Sequence, residues 1–222
     1  MIDFATQRLN MIESQVRPNG VSDARIIAAM AEVPREEFVP ARWRDVAYMD
    51  EDLAIGEAGG VRRYLMEPMA FARLLQHAAI RSDEVVLDVG AGTGYSTAVL
   101  SHLAQSVIGI EADAGLADQA SEALSRLGIG NAIVVPGSPA AGFADEAPFS
   151  VIILEGRVPL VPEALLAQLQ EGGRLVAVVG ERAVSPAMVY TRHGDTVGAR
   201  HVFDATVPPL AGIEKPAPGF VF

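Results

Sequence analysis

Apolar and polar positions alternate along the chain with two periods. Residues 3–16 carry Phe4, Leu9, Ile12 and Val16 among polar neighbours, which predicts an amphipathic helix ended by Arg17-Pro18-Asn19-Gly20. Ser22 or Asp23 can cap a second helix whose apolar side is Ile26, Ile27 and Met30. Residues 33–40 are bounded by Pro34 and Pro40 and predict a turn with a short helix. Residues 47–56 show no clean period and predict an irregular segment. Gly59 and Gly60 predict a flexible loop that leads through residues 61–67 to Pro68. Met69, Phe71, Leu74 and Leu75 then mark a helix lying beside a sheet.

From Val85 onward strand and helix patterns alternate. Residues 85–89 are a short branched apolar run, the signature of a buried parallel strand. Gly90, Gly92 and Gly94 follow at alternate positions, and a helical stripe of Ala98, Val99, Leu100 and Leu103 comes next. Strand, glycine turn and helix open a nucleotide-binding βαβ unit. Residues 106–111 predict the second strand, 114–127 a helix, 132–135 the third strand and 150–154 the fourth. A helix over 161–169, introduced by Pro162, precedes a fifth strand over 174–179. Residues 188–191 and 199–203 predict an antiparallel hairpin around His193-Gly194-Asp195. The order predicts an α/β fold with a mainly parallel central sheet, N-terminal helices and a C-terminal hairpin. A single domain over 1–222 is expected, with an N-terminal and substrate-side part at 1–80, a cofactor-binding core at 81–204 and an irregular tail at 205–222. Phe220 and Phe222 are expected to dock on the body.

The glycine spacing selects the ligand. A dinucleotide fingerprint needs its third glycine where this chain has Tyr95, and an acid, Asp88, stands two residues before Gly90. Glu111 ends the second strand, where an acid accepts hydrogen bonds from ribose hydroxyls. The pattern resembles motif I of the class I S-adenosylmethionine methyltransferases. Their ligand carries a sulfonium and an amino-acid end rather than a pyrophosphate, which suits a loop flanked by carboxylates. Taken alone, Asp88 also reads as a loop cap and Glu111 as a helix N-terminal acid.

Composition narrows the class. The chain has 222 residues, half of them hydrophobic, enough for one domain with a substantial core. A formal net charge of −11 argues against a non-specific grip on nucleic acid. The absence of cysteine excludes disulfides, thiol catalysis and cysteine-ligated zinc. No run of about eighteen apolar residues is present to span a membrane, and the N-terminus lacks a secretory apolar stretch, so a cytoplasmic protein is expected. His77, His102, His193 and His201 have no metal-ligand spacing, and no metal is expected.

Two N-terminal stretches make the resemblance more specific. Val33-Pro34-Arg35-Glu36-Glu37-Phe38-Val39-Pro40 and Ala47-Tyr48-Met49-Asp50-Glu51-Asp52-Leu53-Ala54-Ile55-Gly56 precede the glycine motif. With Leu127-Gly128, Asn131, Gly172-Gly173-Arg174-Leu175-Val176 and Val179-Gly180, they resemble the protein-L-isoaspartate O-methyltransferase family. The resemblance implies S-adenosyl-L-methionine as cofactor, held by Asp88, Gly90, Ala91, Gly92, Thr93, Gly94, Glu111, Ala112, Gly137, Ser138 and Glu155. It implies methyl transfer to a carboxylate of a protein or peptide.

The substrate side departs from that pattern. The family has G-Q-T-I-S-x-P, with its serine beside the isoaspartyl carboxylate, where this chain has Tyr64-Leu65-Met66-Glu67-Pro68. Met66 therefore replaces the serine and Tyr64 the threonine. Gly137-Ser138-Pro139 stands for G-D-G, and Glu155-Gly156-Arg157 for T-A-A. Met66 holds no carboxylate, so standard isoaspartyl peptides are expected to be poor substrates. Arg62, Arg63 and Arg157 are candidates for a new carboxylate clamp, against the alternative of solvated loop arginines. Glu67 and Glu155 can meet an amine or orient a nucleophile, and Tyr64 can cover a sulfonium or simply pack. Three functions remain open: methylation of protein carboxylates, methylation of another acceptor such as a small molecule, and non-catalytic cofactor binding.

Overall fold

The structure, a computed structural model, describes residues 3–58 and 60–214. Phe220 and Phe222 lie outside the described residues. Helix α1 (Phe4–Met11) starts at Asp3, whose carboxylate accepts from the Thr6 amide. It continues through a π turn, Ile12–Val16, and ends at Gly20 with φ 83°. Of the two candidate caps for α2 (Ala24–Glu32), Asp23 is the one used, accepting from Arg25 N at 2.9 Å.

The end of the stretch expected to be irregular, 47–56, and the lead-in at 61–67 form a hairpin instead. β1 (Leu53–Ala58) and β2 (Val61–Leu65) pair antiparallel and join no other strand. Leu53, Ile55 and Leu65 point inward, and so does Arg63. The charged residue at an inward position, with a bulge between Ala54 and Gly56, breaks the alternation that announces a strand.

After α3 (Pro68–Ala78) come β3 (Val85–Val89), α4 (Tyr95–Ser101), β4 (Ser106–Glu111), α5 (Ala114–Arg126), β5 (Ala132–Pro136), β6 (Phe149–Val158), α6 (Glu163–Ala167), β7 (Leu169–Val179), β8 (Val184–His193) and β9 (Thr196–Thr206). The seven-stranded sheet has the order β5-β4-β3-β6-β7-β8-β9. Its first five strands are parallel, and β8 and β9 are antiparallel. Side chains alternate between two core clusters: Val86, Val151, Ile153 and Val176 pack beneath the N-terminal helices, and Leu87, Val89, Ile152 and Leu154 pack on the opposite face.

Several boundaries differ from expectation. β6 runs on through Glu155-Gly156-Arg157, because pairing resumes at Arg157↔Val178 after a bulge. β7 begins at Leu169, which pairs with Phe149, and this shortens α6. The C-terminal hairpin is longer than its pattern because residues 196–201 are exposed on both faces and so carry no alternation. The tail boundary at 204/205 falls inside β9, and beyond it Val207, Leu210, Ala211 and Ile213 are buried rather than loose. Among the described residues no helix is long and apolar enough to cross a membrane.

Candidate active site

The sheet changes winding direction at β3, flanked by β4 and β6, and α/β sheets bind ligands at such a switch point beyond the carboxyl strand ends. Asp88 on β3, Glu111 ending β4 and Glu155 on β6 meet there. Gly90, Gly92 and Gly94 between β3 and α4 have φ of 86°, 57° and 93°, a region that L side chains avoid. Gly90 N and Ala91 N donate to the Ile110 carbonyl at 2.8 and 3.1 Å, fixing the loop to the end of β4. Thr93 Oγ1 donates to the Phe38 carbonyl at 2.6 Å, fixing it to the Pro34–Pro40 segment.

The acids have distinct partners. Asp88 Oδ2 accepts from Ser96 Oγ at 2.7 Å and Thr97 Oγ1 at 2.6 Å, while Oδ1 is buried without a partner. Burial pushes its pKa up to about 6 against the pull of those two hydroxyls. Glu155 also has an unpartnered buried oxygen, and its pKa is raised by burial and then by the Asp88 charge, with Arg63 opposing. Glu111 is fully buried; Oε2 accepts from Gly92 N at 2.8 Å and Oε1 from Asp113 N at 3.1 Å.

Arg63 reaches this acid. Its Nη2 donates to Glu111 Oε2 at 2.7 Å and to the Gly90 carbonyl at 3.1 Å. Its guanidinium thus lies against the glycine loop. Ile55 covers Gly92, its Cδ1 only 2.6 Å from where a Cβ would stand, and Leu210 covers Gly90 in the same way at 2.4 Å. Arg63, Tyr64, Met66, Glu155, Gly156, Pro208 and Pro209 line a cavity of about 10 Å³ beside them.

The other clamp candidates separate from this cluster. Arg157 directs its guanidinium to the carbonyls of Gly180 (3.1 Å) and Val207 (3.4 Å), and its backbone pairs with Pro208 and Leu210. It anchors the C-terminal segment over the site instead of facing an acceptor. Arg62 is exposed and stands opposite Glu57 in the hairpin register. Glu67 lies at the start of α3, where its amide donates to Asp52 Oδ1 at 2.9 Å. Burial and the charges of Asp52, Asp50 and Glu51 push its pKa up to about 7. Ala112 and Ser138 are exposed, and the Gly137 amide donates to the Glu111 carbonyl at 2.9 Å. A cavity of about 510 Å³ between Arg8, His102 and Asn131 lies at the opposite end of the strands.

Three contributors escape a reading of pattern alone. Arg35 is fully buried, with its guanidinium 4.9 Å from the Tyr95 ring centroid, and donates to the carbonyls of Ala47 and Met66. Its only sequence signal is its place between Pro34 and Pro40 in the family-like segment. Ile55 and Leu210 look like ordinary core residues until the fold sets them on the glycines.

A glycine backbone beside Glu111, with the buried carboxyls of Asp88 and Glu155 next to it, has the donor and acceptor chemistry for a nucleoside with a cationic amino-acid end. Ile55, Arg63 and Leu210 must shift for such a ligand to lie on the glycines. Sheet, loop and acids together define a class I methyltransferase fold. The sequence matches the Protein-L-isoaspartate(D-aspartate) O-methyltransferase family over residues 7–212, and the chain belongs to that family. The protein-L-isoaspartate O-methyltransferase of Koribacter versatilis (strain Ellin345) is 40% identical over 97% of this chain and 95% of its own length. Protein-L-isoaspartate O-methyltransferase 1 of Rhodopseudomonas palustris (strain HaA2) is 39% identical over 95% and 85%. A solved protein-L-isoaspartate O-methyltransferase superposes with a TM-score of 0.80 at 27% identity, covering 92% of this chain and 66% of the other.

Proposed function

We propose that the protein binds S-adenosyl-L-methionine and transfers its methyl group to a carboxylate of a protein or peptide, with the isoaspartyl side chain as acceptor class. The observation that carries this reading is the buried Glu111 facing the Gly90–Gly94 backbone at the switch point, in a chain matched to the family over residues 7–212. The cofactor would lie on the glycine backbone, with Glu111 toward its ribose and Asp88 and Glu155 toward its cationic end. It supplies an activated methyl group, so the protein's part is alignment and exclusion of water. An acceptor carboxyl with a pKa of about 4 is already ionised near neutrality and needs no general base. The family match favours this reading over another acceptor or a non-catalytic role.

The poor turnover expected of isoaspartyl peptides rested on Met66 at the serine position together with the altered loops at 137–139 and 155–157 and the longer 56–68 segment. Arg63 lines the same cavity as Met66 and is a stronger carboxylate ligand than a serine hydroxyl. Calorimetric titration with S-adenosylhomocysteine, with NAD as control, tests the cofactor. Tritiated methyl transfer to an isoaspartyl peptide, with the aspartyl peptide as control, tests the acceptor. Heat with NAD alone defeats the first half, and equal labelling of the two peptides defeats the second.

A further inference from the structure

We propose that Arg63 is a latch with two successive partners: Glu111 while the cofactor is absent, and the acceptor carboxylate once the cofactor's ribose has taken Glu111. The inference rests on the cofactor and acceptor classes proposed above and adds the residue that links them. Arg63 is 3% exposed and Glu111 fully buried, so their 2.7 Å contact is dry. Glu111 Oε2 already accepts from Gly92 N and Oε1 from Asp113 N, so Arg63 takes one of the two acceptor sites left for the two ribose hydroxyls. Ligand and guanidinium therefore compete for one carboxylate.

Among the described residues β1 and β2 pair only with each other, turning near Gly60 at φ 80°, so the hairpin is held to the body by the packing of Leu53, Ile55 and Leu65 and not by the hydrogen bonds of the main sheet. Ile55 sits on the same hairpin and covers Gly92, so a ligand entering the loop displaces both side chains together. A guanidinium released from Glu111 in so buried a place needs another anion. Its Nε is already buried without a partner, and its side chain lines the cavity beside Met66. Met66 offers no hydrogen bond to a carboxylate, whereas a guanidinium offers two in parallel. The consequence is ordered binding, cofactor before acceptor.

The test compares wild type, Arg63→Ala and Arg63→Lys by S-adenosylhomocysteine calorimetry and by steady-state methylation of an isoaspartyl peptide. Arg63→Ala removes the competitor and should bind S-adenosylhomocysteine about tenfold more tightly, while the peptide KM rises roughly ten- to a hundredfold. Arg63→Lys keeps the ion pair but loses the fork, so its cofactor affinity should stay near wild type while the peptide KM still rises. If Arg63→Ala does not fold, Arg63→Met, which keeps the length of the side chain and loses the cation, replaces it, with the same tightening expected. Opposite shifts for the two ligands are not produced by a merely structural arginine. Wild-type binding that Arg63→Ala weakens or leaves unchanged overturns the latch, and an unchanged peptide KM in Arg63→Lys overturns the acceptor role. No S-adenosylhomocysteine binding by the wild type defeats the cofactor reading itself.

Discussion

Gly94 is the glycine of the loop whose replacement should cost folding rather than binding. A Cβ at Gly94 would stand 2.9 Å from Ala120 Cβ and 3.2 Å from Ala120 Cα, on α5. Backbone cannot swing aside as a side-chain tip can. The φ of 93° adds about 1–2 kcal/mol of left-handed strain for an alanine, and overpacking a tight contact costs about 1–3 kcal/mol. Gly94→Ala should therefore lose about 2–5 kcal/mol, a large part of the roughly 5–15 kcal/mol a domain has. Urea unfolding followed by circular dichroism measures the loss as a lower midpoint at constant slope.

A second substitution separates the two contributions. Ala120→Gly alone should cost about 1 kcal/mol through helix propensity. Combined with Gly94→Ala it removes the Cβ–Cβ clash and leaves the backbone strain and the 3.2 Å approach to Ala120 Cα. The double-mutant cycle should then show a favourable coupling of about 1–3 kcal/mol. A Gly94→Ala loss under about 0.5 kcal/mol, or additive behaviour of the pair, would refute the argument that loop and α5 meet through this glycine.

A Cβ at Gly92 meets only the tip of Ile55, but valine at a φ of 57° is strained as well, so Gly92→Val should abolish S-adenosylhomocysteine binding by calorimetry and also lower the melting temperature; unchanged affinity in the folded variant would make the loop purely structural. Glu111→Ala introduced into the Arg63→Ala background isolates the ribose contact from the latch, and should weaken S-adenosylhomocysteine binding by about 1.5–3 kcal/mol; no change would remove Glu111 from the site. Asp52 and Glu67 have pKa values raised to about 6 and about 7, above the 3.8 and 4.5 of free carboxyls, so the folded state holds their protons longer and their contribution to stability falls as pH rises from about 4 to 7. Glu67→Gln should accordingly melt higher than wild type at pH 8 and level with it at pH 4, and a pH-independent difference would contradict this.

Much of the parallel core was legible because its signals are local. The β3 run, the alternate glycines and the acid ending β4 each follow from a few adjacent residues. The hairpin of β1 and β2 was not legible, because its inward position is an arginine whose partner, Glu111, is 48 residues away. Periodicity treats a charge as an outward residue, and only the tertiary pairing makes Arg63 an inward one. The same limit applies at Leu210, whose contact with Gly90 crosses most of the chain. Arg157 shows the reverse case: a loop arginine in the sequence, it lies in the fold on a strand extension that pins the chain end.

The replacement at the serine position changes chemistry without freeing the backbone. Arg35 donates 2.7 Å to the Met66 carbonyl while its guanidinium lies over the ring of Tyr95, the first residue of α4. Phe38, three residues on, packs edge-on against the same ring at 5.6 Å, and its carbonyl receives the Thr93 hydroxyl. The Pro34–Pro40 segment thus clamps the glycine loop and the Met66 main chain to one another. Substitution at position 66 changes the side chain while Arg35 holds the main-chain carbonyl in place. The lost donor can then be replaced from the strand that leads into Met66, and Arg63, three residues earlier on it, is the cation the fold sets beside the same cavity.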